Sequence, residues 1–229
     1  MEAVRALRPS LAIRLYVRWF SDRDALTDGR LWAERAAAQR SETERISREL
    51  RDNLFGREIW PLLGAATRSF LASAEAVFRA RRDDAGFDLS GAAVEYAKAV
   101  EAELNALVFP AVRKALRSKP PRDREIRIDA RTVDLGRDVP HQTLGTIRNL
   151  LEHEDRVQHA LRQQLPHDHS WLLGILPRQL ARLVDLRNAG AHSGVTRSTD
   201  LEAVRRQVLG IGQEGLLARL VRVRMRGVG

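Results

Sequence analysis

The stretch AAVEYAKAVEAELNALVFPAVRKAL, residues 92–116, decides the fold class. Ala93, Tyr96, Val100, Leu104, Leu107, Val108, Ala111, Val112 and Ala115 recur at helical spacing, so one face of a long helix is apolar. Lys98, Glu101 and Asn105 form a polar ridge at i, i+3 and i+7. Pro110 lacks a backbone donor and is expected to bend this helix or divide it in two. Glu95, Glu101 and Glu103 read as solvated carboxylates in local pairs, such as Glu95 with Lys98. The sharper alternative is that Glu101 faces a neighbouring helix and holds an arginine there.

The flanking segments have the same helical character. Leu62, Leu63, Ala66, Phe70, Ala74, Val77 and Phe78 follow helical spacing upstream, and that helix stops at Arg79, Arg81, Arg82 and Gly86. Asp88 or Ser90 is a plausible N-cap for the helix at 92–116. Downstream, residues 118–140 are polar and contain Pro120, Pro121 and Gly136. Ile126, Ile128, Val133 and Leu135 alternate with polar residues there, which reads equally as a small β-hairpin or an irregular loop. Helical spacing resumes over Thr143–Leu165 and again from Pro177 to His192, where Gly194 is the stop. A final helix, with capping-box spacing at Thr199 and Glu202, is expected to run through to Leu220. Arginines recur at every second or third place over 219–226, a tail expected to fray or to touch a polyanion.

Residues 1–57 differ from the rest. Beyond a short apolar segment at 11–20, residues 31–54 form a helical stretch that is charged nearly all round, with only Leu31, Ile46, Leu50 and Leu54 in a narrow stripe. Such a helix bridges solvent or docks on a partner. The domain expectation is therefore an N-terminal helical arm over 1–57, which offers a surface for a protein partner, and an all-α domain over 58–229.

Composition bounds the function. Aromatics are 5% of the 229 residues, so Leu, Ala and Val must build the core. There is no cysteine, which removes disulfides and thiolate zinc sites and points to a reducing compartment. No apolar run approaches the ~20 residues that cross a bilayer, and no leader pattern is visible, so a cytoplasmic protein with no membrane contact is expected. The net charge is +9, carried mainly by arginine. It suits an RNA partner, or reflects a general preference for arginine on solvated faces. No P-loop, GxGxxG or GxSxG motif occurs. His141, His153, His159, His167 and His169 cluster in one region, and His167-Asp168-His169 invites a metal reading, but no further ligand has a natural spacing.

The one stretch with a chemical signature is Leu186-Arg187-Asn188-Ala189-Gly190-Ala191-His192. Asn188 and His192 are i,i+4, and Arg187 lies about 140° around the axis from His192. A guanidinium binds two phosphate oxygens and stabilises charge building on phosphorus, and a histidine moves a proton near neutrality. Together they meet the needs of RNA cleavage by the 2′-OH, which requires no metal, cofactor or protein nucleophile. The structural alternatives are a histidine favoured by the helix C-terminus, an Arg187 paired with an acid of the 92–116 helix, and a capping Asn188.

Arg187-Asn188-x-x-x-His192 resembles the signature of HEPN domains, and Asp88 to Leu104 looks like the first long helix of HEPN-like modules of bacterial defence proteins. The resemblance spans roughly residues 58–220. It implies a HEPN-like helical bundle and a metal-independent endoribonuclease, a hydrolase of antiviral defence or toxin–antitoxin type. It also implies a homodimer in which two motifs line one cleft. His192 would be the catalytic base or acid, Arg187 the phosphate ligand and Asn188 an orienting group, with Glu101, Lys98 and Asp185 in support. The family includes inactive members, so the alternative is a helical module that binds RNA or a protein partner for assembly or regulation.

Overall fold

The computed structural model describes residues 37–38, 41–128, 130–191 and 195–228. The chain divides into two compact units, Met1–Glu44 and Arg45–Gly229. In the first unit the described residues, 37–38 and 41–44, are helical. The apolar segment at 11–20 lies outside the described residues. The boundary falls earlier than the expected 57/58, because Ile46 and Leu50 are fully buried and Phe55 nearly so in the core of the second unit. Ile46 and Leu50 of the narrow stripe are therefore docking residues, whereas Leu54 is exposed and Leu31 lies outside the described residues.

In the second unit helix α1 covers residues 45–50 and runs into a π-helical turn, Arg51–Phe55, which Gly56 ends at φ 69°. A short helical turn, Gly56–Ile59, and a 3-10 turn, Trp60–Leu62, follow. The long elements are then α2 (Ala65–Arg81), α3 (Ser90–Leu116), the hairpin β1 (Glu125–Ile128) and β2 (Arg131–Asp134), α4 (Leu144–His153), α5 (Asp155–Gln164), α6 (Leu176–Ala191), α7 (Ser198–Leu209) and α8 (Leu216–Val228). The fold is thus mostly all-α, with one two-stranded antiparallel sheet among the described residues. No helix among them is long and apolar enough to cross a membrane.

α3 is the axis of this unit. It packs against α2, α4, α5, α6, α7 and α8. Sixteen of its 27 residues are buried, so it is enclosed well beyond one apolar stripe, with Lys98, Ala106, Pro110 and Lys114 left along one exposed strip. The sequence hides this because the extra faces are made of alanine: Ala92, Ala97 and Ala99 are fully buried. Their short side chains let neighbouring helices approach α3 closely. Pro110 does not divide the helix, which runs unbroken through it. Tyr96, Val100, Leu104 and Val108 have no exposed surface, and truncating a residue such as Leu104 to Ala costs about 2–5 kcal/mol.

Two further differences from the sequence reading have local causes. The C-terminal helix is broken: Gly210 caps α7 in the left-handed conformation at φ 86°, and the chain restarts at Leu216. α7 itself begins at Ser198 with no side-chain cap, so the Thr199–Glu202 capping box is not used. The arginine tail does not fray. α8 buries Leu216, Leu217, Leu220, Val221 and Val223, and Arg224 reaches Glu103 at 2.6 Å. The insert 118–140 folds as the hairpin, with Ile126 paired to Val133 and Ile128 to Arg131. Ile126, Ile128 and Leu135 turn into the core. The helical pattern over Thr143–Leu165 is two helices, with Glu154 capping α5 through the Arg156 N–H.

The three α3 carboxylates have separate fates. Glu95 pairs with Lys98 at 2.9 Å on the surface. Glu103 is not solvated: it is 2% exposed and accepts hydrogen bonds from the Gly64 N–H and Thr67 Oγ1, both at 2.8 Å, besides Arg224. Glu101 is also buried, at the candidate site.

Candidate functional site around Arg187 and Glu101

α6 lies against α3 and α4, and its last turns carry the motif residues. A π-helical turn, Trp171–Ile175, runs directly into α6, and Pro177 is the second residue after it. Arg187 is half-buried, with 32% of its side chain exposed, and its Nη2 stands 4.0 Å from Glu101 Oε2. Asn188 is exposed. Asp185 is exposed as well and lies about 200° around the axis from Arg187, so it belongs to another face. Among the described residues neither Asn188 nor Asp185 has a hydrogen-bond or ion-pair partner. His192 lies outside the described residues. Lys98 turns to α2, with its ammonium 5.5 Å from the Phe70 ring centroid, and does not join Arg187.

Glu101 is tightly committed. Its Oε2 accepts the Leu144 N–H at 2.7 Å, and its Oε1 accepts from His141 Nε2 at 3.1 Å. Leu144 opens α4, so Glu101 supplies a carboxylate to an N–H that has no intrahelical partner, where the helix dipole favours negative charge. Thr143 completes the cap by accepting the Thr146 N–H. A ring nitrogen that faces a carboxylate carries the proton, so Nε2–H is the donor form of His141.

Asn105, one turn beyond Glu101, clamps the loop that carries His141. Its Oδ1 accepts the Gln142 N–H at 2.9 Å, and its Nδ2 donates to the Gln142 and Glu101 carbonyls, each at 2.8 Å. His141 therefore has a fixed backbone and a ring that is 59% exposed. Sequence reasoning recovered Glu101 and Asn105 as a polar ridge but missed His141 as their partner. Its only local signal was its position after Pro140 and before the Thr143 cap.

His141 also lines a cleft of about 310 Å³. Phe109, Pro110 and Val139 give the cleft apolar walls, and Arg113 and Arg137 rim it. Arg113 is paired with Asp138, and Arg137 with Asp134 at 3.3 Å, although the Arg137 side chain stays 77% exposed. The volume is near the lower end of ligand pockets, the size for a single nucleotide unit and not an extended ligand.

A second contact network fixes the chain that follows the motif. Asp88 Oδ1 accepts from Ser90 Oγ at 2.6 Å, from the Ser90 N–H at 3.0 Å and from the Thr196 N–H at 3.0 Å. The Ser90 and Thr196 hydrogen bonds hold the Asp88 carboxyl below its ordinary range. Thr196 is 1% exposed, and its carbonyl accepts the Leu89 N–H at 3.1 Å. The start of α3 and the segment after His192 are thus tied together.

The remaining histidines do not converge with these groups. Asp168, between His167 and His169, is buried and pairs with Arg226 at 3.2 Å, and His169 Nδ1 lies 2.8 Å from the Pro166 carbonyl. Among the described residues no group of three His, Cys, Asp or Glu side chains is placed to hold a metal ion.

Arg187 differs in kind from the buried arginine of the core. Arg205 is 15% exposed and forks onto both oxygens of Glu75, at 2.6 and 3.1 Å, while lying 5.0 Å over the Phe78 ring. Its donors serve the fold. Among the described residues Arg187 has one long contact, to a carboxylate whose oxygens are already hydrogen-bonded, and its guanidinium can still donate to an anion. No protein-family model, curated protein or solved structure matches this chain.

Proposed function

We propose that this chain is a metal-independent endoribonuclease of HEPN type, acting as a homodimer in a cytoplasmic defence or toxin-like system. The observation that carries the reading is Arg187: a partly exposed guanidinium late in α6, held loosely at 4.0 Å by Glu101 and not consumed in a fork. A free fork of donors suits two phosphate oxygens. In this reading Arg187 binds the scissile phosphate and the charge that builds on it. His192, five residues on, exchanges the protons, and Asn188 orients the phosphate or the histidine.

The RNA 2′-OH attacks the adjacent phosphorus and loses its proton to a base. The bond from phosphorus to the 5′ oxygen breaks, and that oxygen takes up a proton. The products are a 2′,3′-cyclic phosphate and a 5′-hydroxyl. The cleft beside His141, with Arg137 on its rim, supports a path for the strand on this face.

The test is cleavage of RNA by the purified full chain in EDTA, with the ends identified chemically. His192→Ala should lower the rate by about 10²–10⁴-fold, and Arg187→Ala by about 10²–10³-fold. Wild-type cleavage that both variants retain would refute the reading. Glu101 beside Arg187 favours a second reading, a non-catalytic helical module that binds RNA or a protein partner. RNA binding or complex formation that His192→Ala leaves intact, with no cleavage by the wild type, would select it.

A further inference from the structure

Cleavage of RNA by its own 2′-OH moves two protons, one off the attacking oxygen and one onto the leaving oxygen. Beside Arg187 the described residues place one imidazole, that of His141. Both groups meet the same carboxylate: His141 Nε2 lies 3.1 Å from Glu101 Oε1, and Arg187 Nη2 lies 4.0 Å from Oε2. Glu101 is 8% exposed, and the Leu144 N–H fixes its Oε2 at 2.7 Å. A buried, anchored carboxylate of this kind holds the ring in one tautomer, with the proton on Nε2. Asn105 Nδ2 lies 3.4 Å from the same nitrogen, but its two hydrogens go to the Gln142 and Glu101 carbonyls. Nδ1 therefore carries the free lone pair, and among the described residues it has no hydrogen-bond partner. The ring is 59% exposed and lines the cleft of about 310 Å³ beside Phe109, Pro110 and Val139.

We propose that His141 is a second catalytic residue of this site, the general base that takes the 2′-OH proton of a nucleotide unit seated in the cleft. This deepens the ribonuclease reading and rests on it, dividing the two proton transfers between His141 and His192. As the bond from the 2′ oxygen to phosphorus forms, the 2′-OH proton passes to His141 Nδ1. The Glu101 carboxylate stabilises the imidazolium that results. As the bond from phosphorus to the 5′ oxygen breaks, that oxygen takes a proton from protonated His192. Solvent then removes the proton from His141 and returns one to His192, so the chain ends the cycle unchanged. Asn105 clamps the His141 backbone to α3 through Gln142, which presents the ring from a fixed loop. A base gains most from such fixed placement.

The experiment measures kcat/KM of the full chain in EDTA on two substrates. One is an ordinary RNA. The other is the same RNA with the scissile 5′ oxygen replaced by sulfur, because a thiolate leaves without taking a proton. The wild type is compared with His141→Ala, His141→Gln and His192→Ala, and His141→Ala is also assayed with imidazole in the buffer. The His141 ring is mostly exposed, so its removal opens no cavity in the core. His141→Gln keeps a donor for Glu101 Oε1 but cannot take up the proton.

His141→Ala should lower kcat/KM by about 10²–10⁴-fold on both substrates, and imidazole should restore part of the loss. His141→Gln should be as slow as His141→Ala. His192→Ala should be slow on the oxygen substrate and close to wild type on the sulfur one. Wild-type rates in either His141 variant would overturn the proposal, and so would a His141→Ala loss that imidazole leaves unchanged. Recovery of His141→Ala on the sulfur substrate would make His141 the acid and overturn it as well, as would His192→Ala staying equally slow on both. If the His141 variants cleave normally while Arg187→Ala and His192→Ala do not, the ribonuclease reading stands and the base assignment falls. A wild type that cleaves neither substrate removes both.

Discussion

Replacing Glu75 with Ala should be among the most damaging single changes to this fold. Glu75 lies on α2 with no exposed surface, and three side chains reach it, two of them from other helices. Arg205 of α7 forks onto both oxygens, Tyr96 of α3 donates its hydroxyl to Oε1, and Arg79 donates to Oε2 at 2.8 Å. Removal leaves a guanidinium that is 15% exposed with Glu202 at 3.3 Å, and a fully buried phenol without its acceptor. Breaking a buried pair in this way costs about 3–5 kcal/mol, against a whole-domain stability of about 5–15 kcal/mol. For a unit of this size that is a fall of roughly 6–20 °C in Tm. Arg79→Ala is the control. Arg79 is 31% exposed, and Glu75 keeps its other partners, so about 0–1 kcal/mol is expected.

The same carboxyl sets an acid limit. Burial alone pushes Glu75 up, but hydrogen bonds from Arg205 and Tyr96 and the Arg205 charge outweigh it, so its pKa lies below the ordinary 4.5. A depressed carboxyl stabilises the folded state above its unfolded value and loses that contribution as pH falls through its folded value. Stability should therefore decline as pH drops below 4.5, and Glu75→Gln should flatten that decline while lowering stability at neutral pH. Urea unfolding followed by circular dichroism at several pH values measures all of this. A Glu75→Ala loss under about 1 kcal/mol, or an Arg79→Ala loss as large as that of Glu75→Ala, would refute the reasoning.

Other outcomes follow from separate places in the fold. Gly210→Ala should cost about 2 kcal/mol or more by urea unfolding, because φ is 86° and a Cβ would sit 2.5 Å from the Gly215 backbone nitrogen. Asp88→Ala leaves the Thr196 N–H buried without its acceptor, at about 1–3 kcal/mol, and should speed hydrogen exchange at Thr196 selectively; exchange equal to wild type would remove Asp88 as the tie. Arg137→Ala should weaken RNA binding and lower the slope of log affinity against log salt by about 0.7, whereas an unchanged slope would take the cleft rim off the strand path.

The part of this structure that could be read from the sequence is the part that helical periodicity encodes. Residues 92–116 were recognisable because large apolar side chains repeat on one face. The burial of the other faces was not, since Ala92, Ala97 and Ala99 carry almost no hydropathy signal and matter through the close approach they permit. Ile46 and Leu50 lay in a stretch so charged that it read as an arm, although two or three anchors per helix are enough to dock it. The break at Gly210 was missed because Leu209, Ile211 and Leu216 prolong the apolar pattern across it. At the candidate site, Glu101 and Arg187 were both named and do lie side by side. His141 escaped notice because its link to Glu101 spans 40 residues and depends on where the hairpin returns the chain. No local pattern encodes that return.

Arginine content alone is a poor guide to where a polyanion would bind this surface. The densest run, at the C-terminus, is spent on folding. Arg224 is held by Glu103, Arg226 by Asp168 and Arg222 by Glu214, and Arg219 lies 4.4 Å over the Trp171 ring. Each of these contacts fixes α8 to the bundle or stiffens it, so a phosphate would have to displace a carboxylate or an aromatic face to bind there. A guanidinium is useful to RNA when its fork is open and its stem is anchored. Arg205 has the anchor without the opening, and Arg137 is exposed but paired with Asp134 at 3.3 Å. Arg187 combines a half-buried side chain on α6 with a single long contact among the described residues, 4.0 Å from Glu101. How closely Glu101 holds Arg187 separates a binding group from a structural pair on α6, and the reactivity of Arg187 toward an arginine reagent measures that difference between the two functional readings.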